Sequence, residues 1–182
     1  MLISYCDLDH DTIINQMNRY DGVYGVEKIK KIFFDVKNSV YYNKLAPMQK
    51  ASETLVMGRG NNIDKNILLY TLLKAADYKC NIRCAVVMDN TKRLICRYSK
   101  EIPWYYVEVD YFGRTIILDA SFDNEFMRAA GIVYKGNNKD YDFSYYCTID
   151  GKELFNVIEK MLESKDEEAF DFYGSRMGHA AM

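Results

Sequence analysis

The stretch from Asp64 to Tyr78, DKNILLYTLLKAADY, constrains the fold of this chain more than any other. Ile67, Leu68, Leu69, Leu72, Leu73, Ala75 and Ala76 cover nearly the whole circumference of a helix, leaving a narrow polar stripe through Asn66, Tyr70, Lys74 and Asp77. A helix that is apolar nearly all round must lie inside a protein, with other elements packed on most of its sides. Directly after it the apolar period changes from helical to alternating. NIRCAVVM, RLICRY, IPWYYVEVDYF and RTIILDAS read as strands, and GIVYK and YDFSYYCTI as two more. The connections DNTK and FGR are too short for a crossover helix, so the sheet is expected to be antiparallel.

Helices are expected ahead of this pair. DHDTIINQMNRY places Ile13, Ile14, Met17 and Tyr20 at helical spacing. VEKIKKIFFDVKNSV sets Val26, Ile29, Ile32, Phe33, Val36 and Val40 on one stripe, with Glu27, Lys30, Lys31 and Lys37 off it. Pro47 suits the first turn of a short helix through Ala51 and Leu55, and Gly58 suits its end. A last helix is expected over 150–164, opened by Asp150 and Glu153 and burying Leu154, Val157, Ile158, Met161 and Leu162. Helices, then a sheet, then a helix make the fold class α+β, a central buried helix on an antiparallel sheet with flanking N- and C-terminal helices. The 182 residues fit a single domain with its core over about 21–149 and a frayed tail over 174–182.

Composition narrows the function. A formal charge of -2 and a pI near 5.7 argue against a surface that tracks phosphates, so nucleic acid is not an expected partner. No apolar run is long enough to span a bilayer, and MLISYCDLDHDT carries acidic residues where a secretory signal needs positive ones, so no membrane partner and a cytoplasmic location are expected. Five cysteines at irregular spacing (Cys6, Cys80, Cys84, Cys96, Cys147) suit buried thiols in a reducing compartment. Cys80 and Cys84 have no second pair at zinc spacing, and Asp7, Asp9 and Asp11 are followed by Thr12 where a calcium loop needs glycine. GRG lacks the Gly-Lys-Ser/Thr of a phosphate loop, so neither metal nor cofactor is expected. Sixteen tyrosines cluster in PWYYVEVDYF and YDFSYYC; half-buried strands account for most, and an aromatic binding surface is the alternative.

The turn GRGNNID opens the buried helix. A residue just ahead of a helix's first turn sits beside unpaired N–H groups and the positive end of the dipole, which lowers a thiol's pKa and suits a nucleophilic cysteine. Here Asn62 holds that position.

Taken in order, VEKIKKIFFDVKNSVYY, ASETLVMGRG, NNIDKNILLYTLLKAADYKCNIRCAVV and PWYYVEVDYFGRTIILDAS resemble the transglutaminase-like superfamily, a branch of the papain-like cysteine-peptidase fold. The resemblance runs from about Val26 to Ser121. That family carries a Gly-x-Cys-x-Asp turn before a Leu-rich helix, a strand beginning His-x-x-Val-Glu-Val, and an Asp after the next strand's apolar run. It implies that Gly60 and Asp64 match the turn, with Asn62 on the place of the nucleophilic cysteine. Val107, Glu108 and Val109 match Val-Glu-Val, which puts Trp104 on the place of the histidine, and Asp119 falls on the third catalytic position.

The strand register supports the pairing independently of the family. A hairpin loop at Phe112 and Gly113 sets Tyr111 opposite Arg114 and Asp119 opposite Tyr106, one pleat from Trp104, so Trp104 and Asp119 share a face. An amide forms no thiolate and an indole accepts no proton, so acyl transfer by this triad is expected to be absent. Asn62 is then expected to serve as the helix N-cap, and Trp104 to fill the emptied cleft while donating to Asp119. Gly60, Asn61, Asp64, Tyr106 and Glu108 are the expected cleft-lining residues. The expectation is a pseudoenzyme that binds a protein or peptide through the degenerate cleft or the aromatic strand surface. Its rivals are an amide-directed enzyme using non-standard residues, with Asp119, Glu108 and Tyr106 as the polar groups at hand, and a structural subunit of an oligomer.

Overall fold

A computed structural model describes residues 2–88 and 101–126, together with the backbone of two short strands at 133–134 and 147–148. The expected RLICRY strand, the helix from Asp150 and the C-terminal tail lie outside the described residues. After a 3-10 turn at Leu2–Tyr5, the chain forms α1 (Asp11–Asn18), α2 (Gly25–Ser39), β1 (Tyr41–Tyr42), α3 (Ala51–Met57), β2 (Arg59–Gly60) and α4 (Asn62–Ala75). Strands β3 (Lys79–Met88), β4 (Glu101–Tyr111) and β5 (Arg114–Leu118) follow, then β6 (Val133–Tyr134) and β7 (Cys147–Thr148). Among the described residues, no helix is long and apolar enough to cross a membrane.

The Leu-rich helix is the centre of the described residues. It touches α2 and α3 on one side and β3 and β4 on the other. Ile67, Leu68, Leu69, Leu72 and Leu73 have no exposed surface, and each such burial is worth about 2 kcal/mol. They meet Ile29, Ile32 and Phe33 from α2 and Tyr105, Val107, Val109, Ile116 and Leu118 from the sheet. One face of the sheet thus covers the helix, as alternation in VEVDY and TIIL requires.

The sheet order is β3-β4-β5, with both pairings antiparallel. Tyr111 pairs with Arg114 across Phe112 and Gly113, both at positive φ (50° and 74°), as a two-residue hairpin turn demands. Gly113 N–H donates to Asp110 Oδ1 at 3.1 Å and steadies the turn. The ladder to β5 ends at Val107 and Leu118, so β4 continues beyond its partner toward Trp104.

Two expectations about the helices are corrected. Pro47 is not in the first turn of α3, which starts at Ala51 after the N-cap Lys50. Gln49 N–H is drawn to Asp64 Oδ1 (2.9 Å) and Lys50 N–H to Glu53 Oε2 (2.9 Å), which fixes the helix start at Ala51, beyond Pro47. Lys37, assigned to the polar side of α2, is 2% exposed and its ammonium-bearing end points inward to the carbonyl of Phe122. Gly58 does end α3, in the left-handed region at φ 61°, with its N–H on the carbonyl of Thr54.

Candidate functional site

The turn before α4 is held from both sides. The parallel pair of β1 and β2 sets Tyr41 beside Arg59 and Tyr42 beside Gly60. A Cβ at Gly60 would lie 2.8 Å from the Cβ of Asp64, so only glycine lets the chain pass this close to the helix's first turn. The N-cap is Asn61, not Asn62 as expected. Asn61 Oδ1 accepts from Asp64 N–H at 3.0 Å while Asp64 Oδ2 accepts from Asn61 N–H at 3.0 Å, a reciprocal box that needs an acid three residues after the cap. Asn62 would have Lys65 at that place and cannot form it. Burial raises the Asp64 carboxyl to about 6, although the N–H groups of Asn61 and Gln49 pull the other way.

Asn62 is therefore the first helical residue, and its side chain reaches the sheet. Its Oδ1 accepts from Tyr105 N–H at 2.7 Å, and its Nδ2 donates to the Tyr105 carbonyl at 2.8 Å and to Ser121 Oγ at 2.6 Å. Continuing the β4–β5 register, Tyr105 is the position that residue 120 would pair with. The amide of Asn62 stands in for that missing strand segment and satisfies both backbone groups. Asn66, one turn on, completes the splice. Its Oδ1 accepts from Ala120 N–H at 3.2 Å, and its Nδ2 faces the carbonyls of Asn62 and Tyr105 (both 2.9 Å), Ser121 Oγ (3.1 Å) and Asp119 Oδ1 (3.4 Å). Expected on a polar stripe, Asn66 has no exposed surface.

Trp104 and Asp119 meet on the face that the register gave them. Trp104 Nε1 donates to Asp119 Oδ2 at 2.7 Å. Asp119 Oδ1 accepts from Ser121 N–H at 2.9 Å and from the Ser121 hydroxyl. The indole is 2% exposed and packs at 5.1 Å on Phe122, which stacks on Phe126 at 4.8 Å; Tyr42 meets both rings edge-on. The place beside Asp119 is thus filled by a side chain with a donor and no basic nitrogen.

Beneath this layer lie two buried lysines. Lys37 Nζ donates to the Phe122 carbonyl, and Lys65 Nζ donates to the carbonyls of Lys37 (3.0 Å) and Val40. Asp123 accepts from Tyr42 N–H (2.6 Å) and Phe126 N–H (2.7 Å), which ties the segment after β5 to β1.

The remaining candidates do other work. Asn61 and Asp64 are consumed by the cap, and Asn61 Nδ2 also donates to the Ala46 carbonyl at 3.1 Å. Glu108 accepts from Arg83 Nε at 2.8 Å, across the β3–β4 pair and away from Asn62. Trp104, Tyr105 and Tyr106 are at most 2% exposed and belong to the core, whereas Tyr111 is half-buried and Phe112 is 90% exposed at the hairpin tip. Asp7 bonds Ser52 (N–H at 3.1 Å, and the hydroxyl), while Asp9 and Asp11 are exposed. Burial pushes the thiol of Cys80 up to about 11 and raises those of Cys6 and Cys84, so none is an activated nucleophile. Asn66 and Ser121 were missed, although Asn66 carried a signal, four residues after Asn62 on the same helix face; Ser121 lies just past the end of β5, two residues after Asp119.

No protein-family model and no curated protein matches the sequence. Among solved structures, a "putative cysteine protease" from Cytophaga hutchinsonii superposes with a TM-score of 0.52 at 18% identity, over 64% of this chain and 38% of its own length. A "putative protease" from Parabacteroides distasonis superposes with a TM-score of 0.48 at 17% identity, over 66% of this chain and 26% of its own. This chain therefore spans well under half the length of either protein. The likeness is one of fold, and with the antiparallel sheet on the buried α4 it gives this chain a papain-like α+β architecture.

Proposed function

We propose that this is a catalytically silent transglutaminase-like domain that binds a protein or peptide, with Asn62, Trp104 and Asp119 on the places of nucleophile, base and orienting carboxylate. The observation that carries this reading is the 2.7 Å bond from Trp104 Nε1 to Asp119 Oδ2. It repeats the contact by which a carboxylate orients a catalytic imidazole, with an indole that cannot take up a proton.

The other two arms of the chemistry are closed as well. Asn62 has both ends of its amide committed to Tyr105 and Ser121. Asp119 accepts from Trp104 and Ser121, which leaves it poorly placed to act as a base on a substrate. In the subtilisin example, loss of the nucleophile or the base alone lowers kcat by about 10⁶, so no background amide turnover is expected. Binding rests on family analogy and on where apolar surface is left outside. Tyr41 (54% exposed), Val56 (70%) and Met57 (52%) flank the turn that leads into α4.

The test pairs two measurements on the whole chain. Incubation with glutamine-containing peptides plus an amine, and with a panel of peptide amides, is expected to give no product. Titration with a peptide panel is expected to give saturable binding that weakens in Trp104→Ala, with circular dichroism confirming that the variant folds. Turnover of any amide sinks the silent-enzyme reading, and absence of saturable binding removes the peptide partner.

A further inference from the structure

Lys65 is a charged residue type with no exposed surface at all, lying on α4 one turn below the site. Its Nζ has two partners, the carbonyls of Lys37 and Val40 at the end of α2. A neutral amine has two N–H donors and a lone pair, and two carbonyls satisfy it. An ammonium has three donors and no acceptor, so the same pocket leaves one N–H without a partner and away from water.

The charged groups around Lys65 come from two other segments. Lys37 of α2 repels a charge there, and Asp123 and Asp119 after β5 attract one. Burial outweighs that attraction and brings the Lys65 amine down to about 7. Both acids already hold the aromatic layer: Asp119 the indole of Trp104, and Asp123 the backbone N–H groups of Tyr42 and Phe126. Lys37, the repelling neighbour, holds the carbonyl of Phe122, the ring that packs on Trp104.

We propose that proton uptake by Lys65 works as a conformational switch on the Trp104 plug. The neutral amine fits the closed packing. The ammonium lacks a third acceptor, draws on Asp123 and Asp119, pushes on Lys37, and so loosens the hold of the 119–123 segment on the indole. This goes beyond the reading of the site as a lost triad and holds whether or not a nucleophile ever stood at Asn62.

Trp104 is the only tryptophan in the chain, so its emission reports on the plug directly. Acrylamide quenching is measured on the full chain from about pH 5.5 to 8.5, a span that carries Lys65 from mostly charged to mostly neutral. The expected result is a quenching constant at least about twofold higher at the acid end, with a midpoint near the Lys65 value, and a flat profile in Lys65→Met. A His10→Asn, His179→Asn double variant is expected to keep the transition. Flat quenching in the parent chain, an unchanged transition in Lys65→Met, or its loss in the histidine variant each overturns the proposal. If Lys65→Met does not fold, the lysine 13Cε resonances of the parent chain decide. One lysine titrating near neutrality supports the switch, and all lysines titrating near pH 10 overturn it.

Discussion

Asn61 and Asn62 are neighbours in sequence and serve two differently built polar networks. Asn61 closes a reciprocal box with Asp64, three residues away, and its other bond, to Ala46, spans fifteen. Asn62 reaches Tyr105 and Ser121, across 43 and 59 residues. The first network can form as soon as the helix starts. The second needs the sheet in place, because it fills the gap where β5 leaves β4. The difference teaches that one turn can hold both a local helix signal and a long-range splice, with the splice standing where the proposed function puts the place of a nucleophile.

Substitutions should separate the two. Asn62→Leu keeps the branched shape but leaves Tyr105 N–H without its acceptor and removes one of the bonds to Ser121, which Asn66 and Asp119 still hold, and is expected to lower stability by about 3 kcal/mol in urea unfolding. Gly60→Ala, which drives a Cβ against Asp64 and strains both networks at their shared root, is expected to cost about 2 kcal/mol in the same assay. Asn61→Ala removes the local cap and the bond to the Ala46 carbonyl and is expected to cost about 1.5 kcal/mol, with Asn61→Asp no milder, because its carboxylate would turn an acceptor toward that carbonyl beside buried Asp64. An Asn61→Ala loss larger than that of Asn62→Leu would break the comparison.

Acid–base titration sharpens it further. The folded Lys65 amine is lowered to about 7, below its unfolded value, so the unfolded chain binds more protons between about pH 7 and 10.5. Stability is expected to rise with pH over that window, by up to about 1.4 kcal/mol per pH unit, and the rise should vanish in Lys65→Met. The Asp64 carboxyl is raised to about 6, so the folded chain holds the extra proton between about pH 4 and 6, and stability should fall as pH rises through that range. Denaturant midpoints across pH check both signs. The buried Lys65 and the Asp64 of the local cap should thus respond in opposite directions.

Much of this architecture was legible in the sequence. The all-round apolar α4, the stripe on α2, the change to period two and the FG hairpin each follow from side-chain periodicity or turn chemistry, and the register of Tyr111 on Arg114 followed from loop length alone. Buried lysines were not legible. Lys37 and Lys65 look solvent-facing by type, and only the carbonyls of Phe122, Lys37 and Val40, brought together by packing, explain them. Asn61 and Asn62 were confused because both suit a cap, and the choice rests on which one has the acid three residues on. The burial of Trp104 to Tyr106 likewise depends on what covers the strand, which alternation within the strand does not reveal.

The most direct test of the central proposal puts a thiol and an imidazole at the two places that it assigns to nucleophile and base. In Asn62→Cys combined with Trp104→His, a thiol at the start of α4 would face an imidazole held by Asp119. The pH dependence of its alkylation is compared with that of Asn62→Cys alone. The account predicts a thiolate at pH values well below the ordinary cysteine value of about 8.5, and only when the histidine is present. A thiol that titrates like an ordinary cysteine in both variants would contradict it.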